Sequence, residues 1–181
     1  MRDFIYPEMM VHVPLCTNKA PQNILIISNN AGQFIEEVQK HYDVSADVIS
    51  ANLDALRELS DKSYDVVICE IEADAAVLAH INRILKEDAQ LVMKHTSLDE
   101  VEANKMLMQI LGNYFKIIMP YNLGDGTTAL LASKEYHPTA DIILQRADML
   151  DNLHYYNCDI HIAAFAMPNY IRKEYLGIIR N

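Results

Sequence analysis

The chain has 181 residues, 51% apolar and 22% charged, and carries a formal net charge of −10 from 15 basic and 25 acidic side chains. That length suits one domain with a hydrophobic core, and the composition excludes low-complexity and collagen-like classes. An acidic chain repels phosphate backbones, so nucleic acid is a poor partner and small cations a better one, and no run of about 18 apolar residues predicts a membrane span.

The opening MRDFIYPEMM has no signal-peptide shape, because Arg2 is offset by Asp3 and no long apolar stretch follows. Cys16, Cys69 and Cys158 are odd in number and scattered, which fits reduced, mostly buried thiols of a cytoplasmic protein better than a disulfide framework. Apolar runs predict strands at 23–28, 47–51, 64–70, 89–94, 114–121 and 128–133. Helical periodicities lie between them. AGQFIEEVQKHY sets Phe34, Ile35 and Val38 on one face, and ADAAVLAHINRILKED does the same with Val77, Ile81, Ile84 and Leu85. Thr96 or Ser97 is placed to cap a helix through 97–114, with Glu100 at capping-box spacing from Ser97. Two strands joined through Gly124-Asp125-Gly126 predict a closing antiparallel pair, and after Pro138 the stretch ADIILQRADMLDNL at 140–153 is expected to be helical.

Alternating strands and helices ending in a hairpin predict an α/β fold, a Rossmann-like, doubly wound sheet of the methyltransferase type, mostly parallel with a C-terminal antiparallel hairpin and a helical tail. The chain divides as a single domain over 1–181, with a lead-in over 1–20 and the tail over 139–181. In such sheets ligands bind beyond the carboxyl ends of the strands. Three such ends stand out: SNNAGQ after the first strand, SAN at 50–52, and CEIEAD at 69–74. Glu70, Glu72 and Asp74 alternate, so a strand continuing through them would crowd three carboxylates on one face, able to hold an ammonium or take its proton; Asp74 is equally placed to cap the next helix. The seven histidines form no metal-ligand spacing, and His154 and His161 read as polar residues at helix ends. No nucleophile elbow is present, and Cys69 reads as core.

HYYNCDIHIAAFAMP at 154–168, FIYPEMMVHVPL at 4–15 and YDVVICE at 64–70 closely resemble the spermidine synthases, the polyamine aminopropyltransferases. The likeness runs over essentially the whole chain, without a counterpart of the small N-terminal β-domain usual in that family. It implies aminopropyl transfer from decarboxylated S-adenosylmethionine, as co-substrate, to putrescine, with spermidine and methylthioadenosine as products. It implies no prosthetic group and no metal, and homo-oligomers, dimers or tetramers. The family's head segment is extended, and Tyr6 and Glu8 keep its pattern, with Pro7 where Gln or His is usual. The glycine-rich loop falls on Ser28–Gln33, so the nucleoside turn is Asn29, Asn30, Ala31 and Gly32, with Ala31 at the place of the ligand-contacting Asp. The ribose acid falls on Ser50; alternatively Ala51 and Asn52 stand at the place of the adenine-binding Asp-Gly. The proton-accepting Asp aligns with Glu70, leaving Glu72 and Asp74 as possible diamine anchors. Tyr121 lies beside Asn122, where the family's diamine-seating Tyr falls. Two other classes remain open: a non-catalytic homologue that binds a small cation or a partner chain, and, from the fold alone, a methyltransferase.

Overall fold

The computed structural model describes residues 2–181. The elements run α1 (Ile5–Leu15), β1 (Asn23–Ile27), α2 (Gly32–Val38), β2 (Ser45–Ile49), α3 (Leu53–Arg57), β3 (Tyr64–Cys69), α4 (Ala75–Ile84), β4 (Leu85–Lys94), α5 (Val101–Leu111), β5 (Ile117–Asn122), β6 (Thr128–Ser133), α6 (Leu144–Asp148), α7 (Cys158–Ala164) and α8 (Asn169–Glu174). The strands form one sheet in the order β2-β1-β3-β4-β6-β5. The first four are parallel, and β6 runs antiparallel to both β4 and β5. This is the mostly parallel α/β sheet with a closing hairpin expected from the sequence.

Strand parity divides the core. Ile24, Ile26, Val66, Ile68, Val92 and Leu131 face α1, α2 and part of the tail. Leu25, Ile27, Val67, Cys69, Leu91 and Leu130 face α4, α5 and α8. Because both faces are covered, the central strands read as unbroken apolar runs rather than alternating ones. Burial pushes the Cys69 thiol up to about 12, as expected of a core cysteine. No helix among the described residues is long and apolar enough to cross a membrane.

Several local expectations are corrected. The head is a helix, not an extended segment. Ten of its eleven residues are buried, and buried backbone must find internal partners, which a helix supplies by itself. Pro7 sits in the first turn, where its missing N–H breaks no helical bond. Helix α4 stops at Ile84, and Leu85 takes extended backbone to pair with Tyr64, so the expected helix loses its last four residues to β4. The Ser97 capping box does not form: Glu100 caps α5 without a side-chain bond. Instead the buried Asn104 amide donates to the carbonyls of Thr96, Ser97 and Glu100. Of the stretch 140–153 expected to be helical, only Leu144–Asp148 is. There Ile143 N–H donates to Cys16 O, and the Arg146 guanidinium donates to the carbonyls of Leu15, Asn18 and Lys19.

Head and tail are joined by one carboxylate. Glu8, fully buried in α1, accepts the backbone N–H groups of His154, Tyr155 and Tyr156, each at 2.8 Å. Asn157 then caps α7 by accepting from Ile160 N–H. His161 does not lie at an exposed helix end. It is fully buried, bonded to the Tyr156 hydroxyl at 2.6 Å and to Pro138 O at 2.8 Å. His154 is exposed, 5.0 Å from the Phe4 ring. One turn further along α1, His12 bonds Glu37 at 2.7 Å and His41 at 2.9 Å, all three buried.

Truncating Glu8 to Ala strands three backbone donors, each costing about 1–3 kcal/mol when left unpaired in the interior. Partial access of water reduces the sum, and a fall in Tm of roughly 10 °C is expected for a chain of this size; circular dichroism melting checks it, with Glu8→Gln falling between.

Burial pulls His41 down to about 3, with His12 adding to it, and burial pulls His161 down to about 4. Both therefore stay neutral in the fold while the unfolded chain protonates them near 6.5. The unfolded state binds the extra protons, so stability is full above pH 6.5 and falls as the pH drops toward 4. Urea midpoints at pH 7.5 and 5.0 should show that fall, and His161→Gln should flatten it.

Candidate active site

From β1 the chain moves outward to β2, and from β3 it moves the other way to β4, so the carboxyl ends of β1 and β3 flank the topological switch point of the sheet. Glu70 stands there, one residue past β3, with its N–H donating to Ile27 O at the end of β1. Its carboxylate is held from both sides. The Tyr6 hydroxyl of α1 donates to one oxygen at 2.8 Å, and the Ser28 hydroxyl donates to the other. Ser28 Oγ in turn accepts Asn30 N–H at 2.9 Å, shaping the turn into α2. Burial, then the Glu70 hydrogen bond, drives the Tyr6 phenol above its usual range, which keeps it the donor in this pair.

Tyr6 packs edge-on against Phe34, with ring centroids 5.5 Å apart, and the Lys94 ammonium lies 4.3 Å from its ring centroid. The Tyr6–Glu70 pair joins two openings. One, of about 970 Å³, is lined by Tyr6, Asn30, Gly32, Glu36, Gly124 and Asp125 among others. The other, of about 450 Å³, is lined by Glu70, Glu72, Lys94, His95 and Thr96 among others. Across both, the carboxylates Asp3, Glu36, Glu70, Glu72 and Asp125 outnumber the cations Arg2 and Lys94. Such a cleft concentrates cations. The Thr127 hydroxyl holds the Asp125 carboxyl below its usual range. Burial lowers His95, whose two nitrogens bond Asn104 at 2.8 Å and Thr128 at 2.9 Å, so it serves as a support at the end of β4.

The structure brings some of the expected site residues together and separates others. Tyr6, Glu70, Asn30 and Gly32 meet at the cleft, and Ala31 caps α2 beside them. Asn29 turns its side chain away to accept Ala51 N–H at 3.0 Å, tying the β1 turn to the β2 turn. Ser50, Ala51 and Asn52 line neither opening, and Asn52 caps α3 through Ala55 N–H. The three alternating carboxylates do not share a strand face, because β3 ends at Cys69. Glu72 lines the smaller opening, while Asp74 caps α4 by accepting Val77 N–H at 2.9 Å. Tyr121 is fully buried, with its hydroxyl donating to Met9 O at 3.3 Å. It supports the floor under α1 and offers nothing to a ligand. Neighbouring Asn122 donates to Ala164 O and Ala166 O, fixing the tail.

Sequence reasoning passed over Ser28, Glu36, Lys94 and Asp125 as site residues. Ser28 and Lys94 each sit at the carboxyl end of a strand, a position that was a usable signal. Glu36 and Asp125 arrive from a helix and a hairpin loop, and nothing local marks them.

A family model described as the spermine/spermidine synthase domain matches residues 3–120. The polyamine aminopropyltransferase of Helicobacter acinonychis (strain Sheeba) is 29% identical over 93% of this chain and 76% of its own length. That of Clostridium beijerinckii is 26% identical over 97% of this chain and 79% of its own. Among solved structures, the spermidine synthase from Thermotoga maritima superposes with a TM-score of 0.84 at 24% identity, covering 98% of this chain and 75% of that one. A SAM-dependent methyltransferase from Aquifex aeolicus gives 0.55 at 13% identity, over 74% of this chain and 92% of its own. At these identities the structures speak for the fold.

One wall of the larger opening is set by Gly124, whose φ of +80° disfavours a side chain, and a Cβ there would collide with the Tyr155 hydroxyl. Gly124→Ala is expected to destabilise the chain by about 1–3 kcal/mol, read as a lowered urea midpoint. Tyr155→Ala in the same background should recover part of the loss, since it removes the ring whose Oη, Cζ and Cε2 atoms the Cβ would meet.

Proposed function

The chain belongs to the spermine/spermidine synthase family, and from that premise we propose that it transfers an aminopropyl group from decarboxylated S-adenosylmethionine to putrescine, yielding spermidine and methylthioadenosine. The observation that carries the reading is the carboxylate at the switch point: Glu70, held by Tyr6 and Ser28, opens onto an acid-rich cleft. The reaction is a displacement at carbon. The amine nitrogen forms a new C–N bond, the C–S bond breaks, and the sulfonium becomes a neutral thioether. Glu70 takes the proton that the attacking ammonium must lose, and its position is fixed beforehand, so little reorganisation is needed. Glu72 and Asp125 lie along the cleft walls, where they offset the charge of a diamine. The turn at Asn30–Gly32 receives the nucleoside, with room above Gly32, where a Cβ would meet nothing within 4 Å. The residues at 50–52 belong to the β2 turn, tied to this site through Asn29.

A second reading is a non-catalytic homologue that binds a small cation or a partner chain, and Lys94 favours its partner-chain form. Its ammonium rests on Tyr6 beside the proposed base, where a like charge opposes a cationic acceptor.

A product assay separates the two. Purified protein with decarboxylated S-adenosylmethionine and putrescine should form spermidine and methylthioadenosine, and Glu70→Gln should lower turnover by about 100-fold or more while methylthioadenosine still raises the melting temperature. Equal turnover in the variant removes Glu70 from the mechanism. No product, with neither diamine nor nucleoside binding, leaves the non-catalytic reading standing.

A further inference from the structure

A third cavity lies at the other end of the sheet. It has a volume of about 420 Å³, and its lining comes from 19–22, just before β1, from 40–44, just before β2, and from 143–150 around α6. The amino ends of these strands are one strand length, roughly 16 Å, from the switch-point cleft. The size falls within the range of small-molecule sites. Its walls are apolar, with Pro21, Val44, Ile143, Met149 and Leu150, whereas its charged members are Lys19, Lys40 and Arg146 against Asp43 alone. In a chain of net charge −10, a basic concavity runs against the overall field.

Three groups there have bonding capacity to spare. Lys40 is committed to Glu37 and to Asn152 O, but Lys19 has no ion pair among the described residues. Arg146 spends its Nη atoms on the carbonyls of Leu15, Asn18 and Lys19. Its Nε–H is bonded to nothing among the described residues. His41 is more than nine-tenths buried and lines the cavity. Its Nε2 meets His12 Nδ1, and its Nδ1 has no partner among the described residues. No buried side-chain nitrogen or oxygen among the described residues is left unpaired, so both this Nδ1 and the Arg146 Nε keep open surface. Glu37 can only accept, so His12 Nε2 carries a hydrogen. With one proton on each ring, His12 Nδ1 accepts from His41 Nε2–H, and His41 Nδ1 is left as a bare acceptor on the cavity.

We propose that this cavity is a second ligand site, taking a small anion with an apolar body and a hydroxyl group, of the hydroxyaryl carboxylate class. The carboxylate meets Lys19 and the Nε–H of Arg146, the ring lies against Val44, Ile143 and Leu150, and the hydroxyl donates to His41 Nδ1. The two basic groups and the acceptor sit on separate segments of the wall, so a ligand carrying only one of these functions leaves part of the site unmatched. The site is independent of the aminopropyl chemistry and stands or falls apart from it.

Titration of the full chain with 4-hydroxyphenylacetate, followed by calorimetry and by amide chemical shifts, tests this. Saturable binding with a Kd of about 1 mM or tighter is expected, with shifts at His41, Val44 and Leu150 and none at Tyr6 or Glu70. Lys19→Glu, an exposed change that keeps the fold, should weaken binding tenfold or more, and Val44→Trp should abolish it by filling the space. Phenylacetate, lacking the hydroxyl, should bind several-fold more weakly. No saturable binding at tenfold that concentration, unchanged affinity in Lys19→Glu, or shifts confined to the switch-point cleft overturns the proposal.

Discussion

The buried carboxylate of Glu8 is the interaction on which the rest of the molecule depends. A charged oxygen pair in the interior is tolerated only when its acceptors are filled, and here three consecutive backbone N–H groups of the tail fill them. One bond set therefore fixes two chain ends that are nearly the whole sequence apart. Two residues before Glu8, Tyr6 is delivered to Glu70. At the other side of the clamp, Tyr155 is laid over Gly124, beside Asp125 in the cleft wall. The cleft is thus built from the outside inward: the sheet supplies Glu70 and Ser28, and the clamp supplies what closes over them.

The same helix reaches both ends of the sheet. Glu8 and His12 are one turn apart, so they share a face of α1, and both address Tyr156, Glu8 at its N–H and His12 by a ring contact at 5.3 Å. His12 continues through His41 to the amino-end cavity, while Tyr6 reaches the switch point. With almost every residue of α1 buried, the helix has little freedom to shift without disturbing one end or the other.

What the sequence made legible follows from where the controlling forces are local. Strands β1, β3 and β6 were readable within a residue or so because apolar runs of that length between turn signals have few alternatives. The helical head was not, because α1 is buried on every side and shows no polar–apolar stripe; its helicity comes from burial, which only the whole fold supplies. Tyr121 illustrates a signal that was present and unused. By strand parity it shares a face with Ile117 and Met119, and that face is the core on the α1 side, so an inward-pointing ring was already implied. Asp74 could be read two ways, and the local one prevailed, since a carboxylate before a helix finds an N–H within its own turn. The cleft was legible in Glu70, from its place after an apolar strand. Glu36 and Asp125 reach it from distant segments, and no spacing rule connects them.

The loss of glycines after β1 also has a physical sense. Neither Asn29 nor Asn30 takes a positive φ, and neither does Gly32, so this turn does not need glycine to follow its path. Side chains hold it instead: Ser28 accepts from Asn30 N–H, and Asn29 accepts from Ala51 N–H. The first bond consumes a backbone donor of the turn itself, and the second one of the β2 turn. Under the proposed function, recognition of a cationic ligand at this switch point falls to side-chain carboxylates at Glu70, Glu72 and Asp125, with Gly32 supplying space rather than conformation. A site built that way depends on electrostatics and on the rigidity of its carboxylates more than on a backbone cradle, which is why the fixing of Glu70 by two hydroxyls matters more here than the composition of the loop.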